Sequence, residues 1–266
     1  MDQCRRGRPT AANGVTRMRL YCLPYAGGSA ERIYAGWRDR LPALTRGRIE
    51  VVPVELPGRG SRRDESPLPL ADALVAGVVQ QILPWQKTPF ALFGHSLGAM
   101  LAAEVARILQ HRHGIPAAAL MVSGAGAPGP GASGPGASGP ADWLLPDAEF
   151  RERLRGLAGT PPAVLENDDL MGMFLPVLRA DFAVAGQLCR RGGRPVSAPI
   201  TVFGGDSDSE VPIARLGGWA AHSTADCVVR VLSGGHFFLD ESSEQVIAEV
   251  GRRLRAAEAA RSIPAP

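Results

Sequence analysis

Residues 90–100, FALFGHSLGAM, decide how the chain folds, because a short apolar run leads into a glycine-rich turn and then into a helical pattern. The turn holds Gly94-His95-Ser96-Leu97-Gly98, which has the spacing G-x-S-x-G. Alone, this motif is a weak signal in a chain that contains 32 glycines. Between a strand and a helix, it is typical of a sharp turn that lifts a serine oxygen above a sheet. The stretch therefore predicts a strand, a nucleophile turn at Ser96 and a helix.

Five other runs have the form of the one before the motif, since each is short, apolar on both faces and followed by Gly or Pro. They are Met18–Cys22, Ile49–Val54, Ala118–Val122, Ile200–Phe203 and Val228–Leu232. Such runs predict parallel strands buried between two helical layers. The segments between them have helical spacing, as in Leu101, Val105, Ile108 and Leu109. This alternation predicts an α/β fold with a mostly parallel central sheet and helices on both faces.

Two segments interrupt the alternation. Residues 124–140, GAGAPGPGASGPGASGP, predict a flexible loop, and they lack the G-K-[ST] ending of a phosphate-binding loop. Residues 142–187 predict helical pieces that form a lid over the carboxyl edge of the sheet, with breaks at Pro146, Pro161, Pro162 and Pro176. We expect disordered tails at residues 1–15 and 261–266 on either side of one domain, residues 16–260.

Composition and charge argue against several classes of function. The net charge is only +3 and the arginines are scattered, so we expect no nucleic-acid binding. No run approaches 18 apolar residues, and the first residues lack the apolar segment of a secretion signal, so no membrane association is expected. The four cysteines (Cys4, Cys22, Cys189 and Cys227) fit no metal-binding spacing. We therefore expect no metal site and a cytoplasmic protein with reduced thiols.

A serine nucleophile needs a histidine base that is itself held by a carboxylate. The side chain of His95 should project away from Ser96 across the sharp turn, so we predict a packing or hydrogen-bonding role for His95. His236 follows the last predicted strand after two glycines, and two phenylalanines that could exclude water come next. His236 is therefore the predicted base. His111 and His113 are predicted at the surface, at the far end of the helix that Ser96 opens, and His222 in a polar stretch on a helix, so none of the three is favoured as the base.

The carboxylate should follow the preceding strand, Ile200–Phe203, because the order of the three groups in this architecture is serine, acid, histidine. Asp206 and Asp208 both lie there, and either could instead cap the loop or the next helix. The G-x-x-D spacing from Gly205 favours Asp208 over Asp206.

An oxyanion hole needs two backbone N–H groups that point at the developing negative charge. One should belong to Leu97, directly after the nucleophile. For the other we favour Ala26, in the loop LPYAGGSA (residues 23–30) after the first strand, which could otherwise be a plain glycine-rich turn.

Five motifs together resemble the standalone type II thioesterases of polyketide and nonribosomal-peptide pathways, which are α/β-hydrolases. In order, they are LPYAGGSA (23–30), VELPGRG (54–60), FALFGHSLGA (90–99), GGDSDSEV (204–211) and GGHFFL (234–239). The resemblance covers about residues 18–255. It departs from the family at Tyr25, where histidine is common, and in the unusual Gly/Pro-rich segment before the lid.

The resemblance implies hydrolysis of acyl groups from the phosphopantetheine thiol of acyl or peptidyl carrier proteins, with no cofactor apart from the phosphopantetheine that the substrate carries. It implies a catalytic triad of Ser96, Asp208 and His236, with Ala26 and Leu97 as oxyanion donors. The lid would shape the acyl site. An acidic carrier protein could contact Arg59, Arg62 and Arg63, although arginines after a strand are more often a solvated surface.

Three other functions compete with this interpretation, and we expect a monomer in every case. A general carboxylesterase or lipase would prefer small oxygen esters to carrier-bound thioesters. A peptide-cyclising transferase would pass the acyl group to an alcohol or amine, but the length of the chain favours hydrolysis because cyclising domains are usually fused to a synthase. A binding protein on a hydrolase fold would usually lack one member of the triad.

Overall fold

Six parallel strands form the centre of this computed structural model, which describes residues 17–130, 132, 142–157 and 159–261. The strands are β1 Met18–Leu23, β2 Ile49–Pro53, β3 Phe90–His95, β4 Ala119–Ser123, β5 Ile200–Gly205 and β6 Cys227–Leu232. Their order across the sheet is β2-β1-β3-β4-β5-β6, and every neighbouring pair is parallel. The predicted α/β class and parallel sheet are confirmed.

Helices cover both faces of the sheet. Within the described residues, the α-helices are α1 Ala30–Ile33, α2 Trp37–Leu44, α3 Ala71–Ile82, α4 Leu97–His113, α5 Asp147–Gly156, α6 Pro162–Leu165, α7 Asp168–Cys189, α8 Phe238–Glu241 and α9 Ser243–Arg261. Short 3-10 segments lie at Gly60–Arg62, Leu83–Trp85, Asp142–Leu144 and Ile213–His222. One apolar core joins α3, α4 and the end of α7 to one face of the sheet, and a second joins α1, α2 and α9 to the other.

Alternate residues of each inner strand belong to opposite cores. In β1, Tyr21 and Leu23 pack in the first core, whereas Leu20 and Cys22 pack in the second. Side chains of a strand alternate between faces, so a strand covered on both sides is apolar at most positions. Edge strand β6 differs from the prediction, because its residues are only partly buried or exposed.

The predicted lid, residues 142–187, contains α5, α6 and most of α7. Phe150 and Leu154 of α5 pack with Met171, Leu178 and Phe182 of α7 in a small separate cluster. The predicted breaks hold at Pro146, Pro161 and Pro162, which precede or begin α5 and α6 (Pro146 and Pro161 at the N-caps, Pro162 at the first position). The predicted break at Pro176 is wrong, since α7 is 22 residues long and runs through this proline without interruption. Buried residues on both sides of this proline stabilise the helix against the loss of one backbone hydrogen bond.

Several predictions concern residues outside the described part of the chain. The tail at residues 1–15 lies there, as does most of the Gly/Pro-rich segment 124–140. Of the predicted tail 261–266, only Arg261 is described, and it is the last residue of α9. Among the described residues, no helix is both long and apolar enough to cross a membrane.

Candidate active site

Ser96 occupies the sharp turn between β3 and α4, at the carboxyl edge of the sheet. Its backbone has φ 54° and ψ −114°, a conformation that residues with a side chain rarely adopt. The Ser96 amide donates to the carbonyl of Ser123 at the end of β4, 2.8 Å away, which ties the turn to the neighbouring strand. A strained turn of this kind holds a serine oxygen above a sheet.

The two glycines of the motif are required by close backbone contacts. A Cβ atom on Gly94 would lie 1.9 Å from the carbonyl oxygen of Gly98, and a Cβ on Gly98 would lie 2.3 Å from the carbonyl oxygen of Leu23. The end of β3 therefore lies too close to the start of α4 for a side chain at Gly94. The start of α4 likewise lies too close to the end of β1 for a side chain at Gly98. The G-x-S-x-G spacing is in this way a packing requirement of the turn.

A continuous chain of hydrogen bonds joins Ser96, His236 and Asp208. The Ser96 Oγ lies 3.2 Å from His236 Nε2, and His236 Nδ1 lies 2.9 Å from Asp208 Oδ2. An ionised carboxylate can only accept, so Nδ1 carries the hydrogen of the neutral imidazole and Nε2 accepts from the hydroxyl. The three groups come from the ends of β3, β5 and β6, which lie far apart along the chain.

The surroundings of Asp208 keep its carboxylate ionised. Its side chain is fully buried, and Oδ1 accepts the backbone amides of Glu210 and Val211 at 2.9 and 3.0 Å. Burial alone would raise the pKa of Asp208, but the hydrogen bond and positive charge of His236 and the two amides hold it below its usual value. A buried anion beside Nδ1 fixes the imidazole ring and stabilises its protonated form.

Asp206, the alternative acid, holds the loop that carries His236. Its two carboxylate oxygens accept the Gly234 amide at 3.0 Å and the Ser233 hydroxyl at 3.1 Å, and these bonds lower the pKa of Asp206. The structure thus brings Asp208, and not Asp206, against the histidine.

His95 is fully buried beneath the site. Its Nδ1 lies 2.9 Å from Ser123 Oγ, and its ring centre lies 5.3 Å from that of His236. Burial lowers the pKa of His95 to about 3, and the positive charge of His236 acts in the same direction. No hydrogen bond joins His95 to Ser96 in the described part of the chain. The predicted packing and hydrogen-bonding role of His95 is confirmed.

The remaining histidines lie away from this chain of hydrogen bonds. His111 and His113 are in the last turn of α4, where His111 Nε2 lies 3.0 Å from the carbonyl oxygen of Pro195. His222 ends the 3-10 segment Ile213–His222 and packs beside Trp219.

Ala26 and Leu97, whose backbone amides are the predicted oxyanion donors, lie beside Ser96 at the cleft. Leu97 is the first residue of α4, where N–H groups lack intrahelical partners, and Ala26 lies in the turn after β1. In the residues the structure describes, neither amide donates to another backbone group. Both residues line the cleft that holds Ser96 and His236. Both predicted oxyanion donors therefore lie at the cleft, and their role stays a prediction.

The cleft above Ser96 is mostly apolar and has a volume of about 540 Å³, part of it open to solvent. Its far wall comes from the lid, through Leu154, Leu157, Leu178 and Phe182. Phe237 closes the side next to His236, with the two ring centres 5.2 Å apart. An apolar cleft that ends at a serine and two amide donors suits an acyl chain with its carbonyl group at the serine.

Sequence reasoning missed a buried ion pair beside the cleft. Asp181 of α7 and Arg59, after β2, are 1% and 7% exposed and are joined by two hydrogen bonds. Arg59 therefore lies inside the protein, which contradicts both the solvated surface favoured for it and the alternative of a contact with a carrier protein. Arg62 pairs with Glu65, and Arg63 is exposed at the surface.

Among the described residues, no three His, Cys, Asp or Glu side chains lie close enough together to hold a metal ion. Of the residues that line the cleft, Tyr25 and His236 carry titratable side chains.

Comparison with known proteins points to one family. The model of the thioesterase domain family matches residues 18–254. The gramicidin S biosynthesis protein GrsT of Aneurinibacillus migulanus is 37% identical over 243 residues, which cover 91% of each chain. The RedJ thioesterase of the prodiginine pathway in Streptomyces coelicolor superposes with a TM-score of 0.77 at 34% identity, covering 92% of this chain and 96% of RedJ. ClbQ of the colibactin NRPS/PKS pathway gives a TM-score of 0.81 at 31% identity, covering 92% and 99% of the two chains.

Proposed function

The chain belongs to the thioesterase family, as a type II thioesterase of the α/β-hydrolase superfamily, and we propose that it releases acyl groups from carrier proteins. The proposed substrate is an acyl thioester on the phosphopantetheine arm of a polyketide or nonribosomal-peptide synthase. The proposed catalytic groups are Ser96, His236 and Asp208, with the amides of Ala26 and Leu97 as oxyanion donors. The observation that carries the proposal is the hydrogen-bonded chain from Ser96 to Asp208 at the end of an apolar cleft.

Acylation begins when His236 Nε2 takes the proton of the Ser96 hydroxyl and Oγ attacks the thioester carbonyl. The carbonyl oxygen becomes negative and accepts hydrogen bonds from the two amides. As the intermediate collapses, the carbon–sulfur bond breaks and the imidazolium returns its proton to the departing thiolate. The acyl group is then an ester of Ser96.

Deacylation repeats these steps with water. His236 Nε2 takes a proton from a water molecule, whose oxygen attacks the acyl carbonyl. The second intermediate expels Ser96 Oγ, which recovers its proton from the imidazolium, and the carboxylic acid leaves. Asp208 stabilises the imidazolium in both halves of the reaction without taking up a proton.

The carrier-protein substrate is supported by the relatives, since GrsT is named for gramicidin S biosynthesis and ClbQ for an NRPS/PKS pathway. The mostly apolar lining of the cleft supports an acyl group rather than a polar one. The proposed chemistry uses only side chains and backbone amides of the chain, so no cofactor is required beyond the phosphopantetheine of the substrate.

The test measures acyl release from an acyl-pantetheinyl carrier protein, with a small oxygen ester assayed in parallel. We expect fast release from the carrier, and loss of nearly all turnover in Ser96→Ala, with the variant still folded by circular dichroism. Turnover of the small ester alone would favour a general carboxylesterase, and full activity of Ser96→Ala would exclude the proposed nucleophile.

A further inference from the structure

The ion pair of Asp181 and Arg59 is buried where a charge pair is hard to justify by stability alone. Arg59 Nη1 lies 2.5 Å from Asp181 Oδ2 and Nη2 lies 2.8 Å from Oδ1, so the guanidinium donates hydrogen bonds to both carboxylate oxygens. Arg59 also donates from Nε and Nη2 to the carbonyl of Pro57. Taking two charges out of water costs about as much as, or more than, their attraction returns, so such a pair is weak evidence for stability. Its position calls for another explanation.

Asp181 has a third hydrogen bond, and this one reaches the loop after β1. Its Oδ2 accepts the backbone amide of Gly27 at 2.7 Å. Gly27 belongs to a turn in which the Gly28 amide donates to the Tyr25 carbonyl at 3.0 Å, and its φ is 74°. This combination defines a type II turn, in which the third residue must have a positive φ. The central peptide of the turn joins Ala26 to Gly27, and Asp181 holds the N–H of that peptide.

The central peptide of a turn can rotate, because types I and II differ mainly by a flip of this one unit. An acceptor on Gly27 N–H favours the orientation that the structure has, and a charged acceptor favours it more strongly than a neutral one. The backbone at Gly27 also packs against α7, since a Cβ atom there would lie 2.7 Å from Leu178 Cδ2. The N–H of Ala26, the proposed oxyanion donor, belongs to the preceding peptide unit, which joins Tyr25 to Ala26, so the anchored Gly27 amide is the next one along the same turn.

We propose that Asp181 and Arg59 are positioning residues for the oxyanion hole. Asp181 anchors the turn through the Gly27 amide, and Arg59 fixes Asp181, so that the adjacent Ala26 amide is held at the cleft before substrate binds. The inference rests on the proposed function of Ala26 and Ser96. Neither Asp181 nor Arg59 needs to touch the substrate.

The arrangement also connects the acyl cleft to the oxyanion donor. Leu178 and Phe182, which line the cleft, lie on α7 three residues before and one residue after Asp181. An acyl chain that packs against this helix therefore contacts the element that holds the oxyanion loop.

Two double variants separate positioning from stability. Asp181→Leu with Arg59→Met removes both charges and every acceptor for the Gly27 amide, while keeping apolar volume in the core. Such replacements of a buried ion pair are often neutral or stabilising. Asp181→Asn with Arg59→Gln also removes both charges, but its amide oxygen can still accept from Gly27 N–H. The two variants therefore differ chiefly in whether the turn keeps its acceptor.

The measured quantities are kcat and KM on an acyl N-acetylcysteamine thioester, together with the melting temperature. We expect the Leu/Met variant to lose about 10- to 100-fold in kcat, since removing one oxyanion donor outright costs about 100- to 1,000-fold. Its KM should stay within about twofold of the unsubstituted protein, because the contacts are made to the transition state. We expect the Asn/Gln variant to recover most of kcat. The control is Arg19→Met with Glu50→Leu, an ion pair between β1 and β2, which should leave kcat unchanged.

Equal kcat values in the two double variants would overturn the inference, as would a loss that followed the melting temperature. The rate of Ser96 phosphonylation by a fluorophosphonate gives a second readout that needs no thioesterase activity. In that reaction, Oγ attacks phosphorus, fluoride leaves, and a phosphoryl oxygen uses the oxyanion donors. If the unsubstituted protein failed to hydrolyse thioesters, the proposed function would fall, whereas slower phosphonylation in the Leu/Met variant alone would still support the positioning role.

Discussion

His95 should make the stability of this protein depend on pH. In the folded protein, burial together with the nearby positive charge of His236 lowers the pKa of His95 from 6.5 to about 3. The unfolded chain therefore takes up a proton on this residue below pH 6.5, and the folded protein does so only near pH 3. Because the unfolded state binds more protons in this window, the free energy of unfolding falls as the pH falls through it.

The size of the effect follows from the two pKa values. Between pH 7 and pH 5, proton uptake by unfolded His95 removes about 2 kcal/mol from the free energy of unfolding. The folded pKa lies well below this pH window, so proton uptake by the unfolded chain sets almost the whole change. A domain has about 5–15 kcal/mol of stability in total, so the loss should be easy to measure.

The assay compares urea unfolding of the unsubstituted protein and of His95→Asn at pH 7, 6 and 5. Asparagine can still bond to Ser123 Oγ, in place of His95 Nδ1, but it cannot titrate. We expect the stability advantage of histidine over asparagine to shrink by about 2 kcal/mol between pH 7 and pH 5. Every other titrating group is common to both proteins, and His113→Asn, at an exposed position, controls for the loss of a histidine. Parallel pH profiles for the unsubstituted protein and His95→Asn would refute the reasoning.

Three further predictions concern the acid, the turn and the cleft. Asp208→Asn should lower kcat by about 1,000- to 10,000-fold, whereas Asp206→Asn should keep it within about tenfold, as steady-state kinetics on an acyl thioester will test. Gly98→Ala should cost about 3 kcal/mol, because its Cβ would lie 2.3 Å from a backbone carbonyl of β1. Gly114→Ala, at φ 68° in open space, should cost only about 1 kcal/mol, and thermal unfolding will compare the two. Phe182→Ala should enlarge the cleft and shift kcat/KM toward longer acyl chains, measured on a series of acyl thioesters.

The strands were predictable because burial on both faces leaves a plain mark in the sequence. All six lie within two residues of their predicted bounds, since an apolar run must stop where the chain turns at Gly or Pro. The partial exposure of β6 was not predictable in this way, because the position of a strand in the sheet depends on partners elsewhere in the chain. The break at Pro176 was wrongly predicted for a related reason, because the packing of α7 outweighs the tendency of proline to end a helix.

The residues of the hydrogen-bonded chain were predictable because each follows directly on a strand. Parallel strands end at one edge of the sheet, so Ser96, Asp208 and His236 had to approach one another once their strands were found. Asp206 and Asp208 are only two positions apart in the same loop, and the sequence favoured Asp208 through its G-x-x-D spacing from Gly205 alone. Only the hydrogen bonds separate the carboxylate that meets the imidazole from the one that holds its loop.

Asp181 and Arg59 do not follow directly on strands, so the rule that found the other site residues does not apply to them. The sequence around Asp181 nevertheless indicates that this residue is buried. Asp181 lies on a stripe of α7 that is apolar three and four residues to either side, with Val177, Leu178, Val184 and Ala185 all buried. A carboxylate on such a stripe must be buried, and a buried charge needs a partner. The sequence thus predicts that a partner exists, but it offers 29 lysines and arginines, and the one that pairs lies 122 residues away. The pair connects the lid, the segment after β2 and the loop after β1, three regions whose contact follows from the way the whole sheet is covered. A residue that acts by holding another element in place is therefore hard to predict from sequence, because its role depends on long-range contacts and not on its neighbours in the chain.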